Sequence, residues 1–106
     1  MEITEDQFKK AAEALLPKFI MWGELPYRLN AYGLMGGSWR ISYSNPYLSE
    51  NARMAKDEHW HDPFDCIKVM HHDVSRCLSM REITEQEFDA ATRPFDKFSG
   101  LKEVES

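Results

Sequence analysis

The sequence has only two cysteines, Cys66 and Cys77, no gathering of basic residues beyond the pair Lys9-Lys10, and no long apolar run. Each shortage removes a class of protein. Two cysteines do not make the disulfide framework that staples small secreted domains. No segment approaches the roughly 20 apolar residues of a membrane span, and no charged stretch leads into an apolar one as in a signal peptide. The expected compartment is the cytoplasm. With 13 basic against 18 acidic residues and a net charge of −5, the chain lacks the basic stripe that displaces counterions from phosphate. Nucleic acid is therefore not the expected partner, and the carboxylates are too sparse to imitate one. There is no serine-centred elbow, no HExxH, and no phosphate loop, since Gly36-Gly37 lacks the Lys and Ser/Thr that would come after it.

What remains is a chain of 106 residues with 42% hydrophobic and 12% aromatic content, enough for one modest core. The expectation is a single globular domain over residues 1–100, with a charged tail from 101 to 106 that should be disordered.

Two helix starts are written in the same way. Thr84 followed by Glu87 is a capping box, with Ile83 and Phe88 as its hydrophobic staple, and Ile3, Thr4, Gln7 and Phe8 repeat the arrangement. Glu2 to Glu5 match Glu82 to Glu85 as well, but the likeness ends at Phe8 and Phe88 plus a following alanine, nothing between the copies matches, and convergent capping explains it. From Phe8, apolar residues at Ala11, Ala12, Leu15, Leu16, Phe19 and Ile20 keep helical spacing, predicting a helix over 4–20 with a kink at Pro17 or a stop at Leu16. The second capped helix is predicted over 84–92, ending before Pro94, and Phe95 and Phe98 would anchor the segment beyond it.

Between them, Ser38 to Ser44 alternates polar and apolar residues without exception and reads as a strand. With Gly36-Gly37 as a two-residue turn, a further strand at 28–35 would set Leu34 opposite Trp39, Tyr32 opposite Ile41 and Asn30 opposite Tyr43. The stretch from Leu48 to Asp57 reads as a thinly apolar helix or a loop.

Asp62 to Met80 fits two patterns. As a helix, Asp62 caps, Pro63 takes the first position, and Ile67, Met70, His71, Val74, Cys77 and Leu78 share a face. As a hairpin, it supplies strands around 64–71 and 75–82. The hairpin is preferred because the Trp39 strand needs partners and the Ile83 staple suits a chain arriving from a strand. The expected fold class is thus α+β, a small antiparallel sheet with strands near 38–44, 64–71 and 75–82, and an additional one at 28–35, packed with two terminal helices. The alternative is mostly α with one hairpin.

One constellation could carry chemistry, the histidines and cysteines between His59 and Cys77. His59, His61 and Cys66, with His71 or His72 as a fourth ligand, have the donor types of a zinc site but not the spacing of a finger or ribbon. Asp62 and Asp65 could orient those histidines, although Asp before Pro is ordinary turn chemistry. No catalytic residue and no cofactor is expected. The aromatics Trp22, Tyr27, Trp39, Tyr43, Tyr47 and Trp60 point instead to a binding surface, because such side chains bury large area at low entropic cost. The functional expectation is a small non-enzymatic protein-binding module, a regulator or inhibitor of a larger protein or complex, acting as monomer or homodimer. Small antagonists encoded by viruses and mobile elements share this size and style. The alternative is a metal-binding, hydrolytic protein built on the His/Cys cluster. A weaker third reading has Trp and Tyr stacking on nucleic acid beside Arg28, Arg40 and Arg53.

Overall fold

The computed structural model describes residues 3–93. The expected anchors Phe95 and Phe98, the end of the last helix at Pro94 and the charged tail lie outside them.

Helix α1, Glu5–Leu15, begins at the capping box. The Thr4 hydroxyl accepts the Gln7 amide at 3.1 Å, and the Gln7 side chain accepts the Thr4 amide at 2.9 Å. The helix stops well short of residue 20. Pro17 has no amide to donate and drives the residue before it out of the helical region, and Leu16 sits at φ −110°, ψ 143°. Phe19 and Ile20, which continue the helical spacing on paper, belong instead to strand β1, Phe19–Trp22.

Strand β2, Leu25–Met35, comes next, then β3, Ser38–Ser44, and β4, Met54–Trp60. Gly36 and Gly37 have φ of 59° and 81°, the pair of positive values that a tight hairpin turn requires and that glycine adopts without steric cost. The register is Leu34 opposite Trp39 and Tyr32 opposite Ile41. Beyond the bulge between Leu29 and Ala31 it shifts, so Tyr43 faces Leu29 rather than Asn30.

The segment after β4 corrects the hairpin reading. Pro63–Arg76 is a helix, α2, so there is no strand at 64–71. Asp62 caps it, its carboxylate accepting the amides of Phe64 at 2.8 Å and Asp65 at 3.1 Å, and Cys66, Ile67, Met70 and Val74 form the buried face. The strand expected over 75–82 shrinks to β5, Met80–Glu82. Ile83 still enters its staple from a strand, as expected. Helix α3 spans 85–93 behind Thr84, whose hydroxyl accepts the Glu87 amide at 3.1 Å.

The fold is α+β, with a five-stranded antiparallel sheet in the order β4-β3-β2-β1-β5. The sheet partners that the hairpin was meant to supply come from β1 and β4. Neither is legible as a strand, because β1 sits inside a helical apolar spacing and Met54–Trp60 contains no β-branched residue.

Phe8 and Ala12 of α1, Leu16 just after it, and Ile67, Met70 and Val74 of α2 bury against Ile20, Tyr27, Leu29, Ile41 and Tyr43. These sheet residues mark the helix-bearing face. On the reverse face Phe88 of α3 meets Phe19, with ring centroids 5.0 Å apart. Of the sheet's borders, β5 is three residues long, and the overhang of β2 past β1 is covered where the Glu5 carboxylate accepts the Leu34 amide at 2.8 Å.

Candidate functional site

The six aromatics do not form one surface. Tyr27 and Tyr43 are core residues. The Tyr27 hydroxyl donates to the Ala52 carbonyl at 2.7 Å and the Tyr43 hydroxyl to the Pro17 carbonyl, so both tie connecting segments to the sheet. Burial raises both phenol pKa values, with the nearby Glu82 charge adding to the effect at Tyr43. Tyr47 is exposed in the β3–β4 connection, its amide donating to the Asn45 side chain at 2.9 Å. Trp22 lies at the far end of the sheet, beside a cleft of about 540 Å³ lined also by Leu25, Tyr27, Ala52 and Met54. The Lys56 ammonium sits 5.6 Å from the centre of its ring.

Trp39 and Trp60 are brought together. They are direct cross-strand partners on β3 and β4, and Leu34 is the partner of Trp39 on β2, so the three stand in a row across the sheet on the helix-bearing face. Trp39 is partly buried, its ring 4.6 Å from that of Phe8 on α1, which fixes the centre of the row to the core. The flanks are open: Leu34 is 47% and Trp60 37% exposed. Phe64, 53% exposed, lies in the first turn of α2, the helix that follows Trp60 in the chain. That turn is held beside Trp39 because the Cys66 thiol donates toward the Trp39 carbonyl at 3.5 Å. The Trp60 indole N–H donates to Glu58 at 2.9 Å, and Asp62 and Asp65 stand exposed around Phe64. Nothing in the composition singled out Leu34 or Phe64. The signal was the hairpin register for the first and the capping Asp62-Pro63 for the second.

Neither a protein-family model, nor a curated protein, nor a solved structure matches the chain.

The His/Cys cluster is dispersed. His59 is on β4 with its Nε2 3.2 Å from Asp57, His61 is exposed in the connection to α2, and His71 and His72 are exposed on α2. Cys66 is fully buried, and burial, followed by the charges of Glu58 and Asp57, pushes its thiol up to about 12. Among the described residues no three His, Cys, Asp or Glu side chains are grouped as a metal site. Cys66 and Cys77 are both free thiols.

On the reverse face of the sheet, Arg40 grips Asp57 through two bonds of 2.8 and 3.1 Å. Partial burial works against the Asp57 carboxylate, but the Arg40 guanidinium and His59 outweigh it and hold the group below the usual carboxylate range. Ser42, the cross-strand partner of Asp57, has a buried hydroxyl without a hydrogen-bond partner among the described residues. Among the described residues no base is hydrogen-bonded to that hydroxyl.

No helix among the described residues is long and apolar enough to cross a membrane.

Proposed function

We propose that this protein is a small non-enzymatic binding module that regulates or inhibits a larger protein, and that it docks through Leu34, Trp39, Trp60 and Phe64. The observation that carries this reading is the row itself: three adjacent strands set Leu34, Trp39 and Trp60 side by side with the outer two exposed, and the helix start after Trp60 exposes Phe64. Trp39, stacked on Phe8, gives the patch a rigid centre, and rigid aromatic anchors lose little entropy on binding. Glu58, Asp62 and Asp65 give it an acidic rim, so the fitting partner presents an apolar pocket bordered by basic residues.

The test is affinity capture with the wild-type chain beside a Trp60→Ser, Phe64→Ser variant of unchanged circular dichroism. The expected result is a partner retained by the wild type and lost by the variant. Identical recovery by both chains would remove the patch from the binding function.

A further inference from the structure

The long open border of this sheet is β4, and we propose that its occupant is β4 of a second copy of this chain, paired antiparallel about a two-fold axis at Asp57. Strand β5 offers three residues and the β2 overhang is covered by Glu5, whereas among the described residues all seven of β4 lie along an edge with β3 on one side only. Unpaired edges of this length are normally blunted by charged side chains, a bulge or a covering segment. Here the strand contains one bulge, near its start, and its charges are of opposite sign.

The sequence Met54-Ala55-Lys56-Asp57-Glu58-His59-Trp60 is self-complementary in that register. Lys56 meets the partner's Glu58 and Glu58 meets the partner's Lys56. Lys56 and Glu58 face the helix-bearing side, because they are cross-strand partners of Tyr43 and Ile41. Among the described residues neither makes an ion pair within its own chain. The one like-charge contact, Asp57 against the partner's Asp57, falls on the reverse face, where each carboxylate already has its own Arg40 guanidinium at 2.8 Å. The symmetric pairing is isologous and closes at two chains, which is the condition for a dimer rather than a fibre. It would join the sheets of both copies and carry two aromatic rows on one side.

Light scattering on the full chain after size exclusion provides the test. A species of twice the 12.4 kDa chain mass is expected at tens of micromolar, dissociating on dilution. Lys56→Glu alone, or Glu58→Lys alone, sets like charges opposite each other twice per dimer and should weaken association about tenfold or more. Mixed together, the two single variants are complementary in this register and should recover a dimer of one chain of each. That recovery also shows that both variants are folded. A monomer at every concentration, a dimer indifferent to either substitution, or a mixture that does not associate better than its components would each overturn the proposal.

Discussion

Asn45 donates from its side-chain amide to the Thr92 hydroxyl at 3.3 Å, and both residues are buried. The same amide donates to the Pro26 carbonyl at 3.0 Å, and the Asn45 carbonyl oxygen accepts the Tyr47 amide at 2.9 Å. One side chain therefore joins the end of β3, the start of β2 and helix α3. Asn45→Ala should cost about 2–3 kcal/mol, because it strands buried polar groups as well as removing bonds. Asn45→Asp should cost at least as much, since a carboxylate cannot donate to Pro26 or Thr92. Denaturant unfolding of the two variants checks both values.

Asn45 also marks the limit of what the local sequence encodes. The end of the strand at Ser44 is legible in its alternation, but a hub with partners 19 and 47 residues away has no local signature. The Gly36-Gly37 turn, the Ser38–Ser44 strand and both capping boxes were legible because each is decided within a few residues. Strand β4 was not, since its membership comes from Trp39 to Tyr43 lying alongside and not from its own residues. Helix α2 was legible in its cap and its apolar face. It lost to the hairpin only because the sheet lacked partners that β1 and β4, hidden in helical or loop-like spacing, actually provide. Of the aromatic surface, the pairing of Trp39 with Trp60 depends on the same hidden strand.

The aromatic row should separate by burial. Phe8→Ala removes the fully buried ring beneath Trp39 and should destabilise the fold by about 3–5 kcal/mol. Phe64→Ser, on the open flank, should change stability by no more than about 0.5–1 kcal/mol. Thermal unfolding of the pair distinguishes a core support from a surface free to bind; a Phe64 variant as damaging as the Phe8 one would mean that Phe64 is structural.

The two thiols should differ in chemistry. Cys66 is buried with its pKa pushed up to about 12, whereas Cys77 is partly exposed at the end of α2. The thiolate is the reacting form, so native protein at pH 8 should lose one thiol quickly to an aromatic disulfide reagent and the second only on unfolding. Cys77→Ser should abolish the fast phase, and Cys66→Ser should leave it intact.

Asp57 sets an acid limit on stability. Against the opposing effect of partial burial, Arg40 and His59 hold its carboxyl below the ordinary value, so the folded chain binds the proton less readily than the unfolded chain. The stabilisation is complete above the unfolded carboxylate pKa of about 3.9 and is lost as pH falls through the depressed folded value. Asp57→Asn should therefore be less stable than the wild type at neutral pH, and the gap should narrow as pH falls below the unfolded carboxylate value. Arg40→Gln should flatten the same interval by returning the Asp57 carboxyl toward its ordinary value. Chemical denaturation across that range measures the slope, and parallel profiles for wild type and Asp57→Asn would show that the Arg40 contact is not what holds the carboxylate charged.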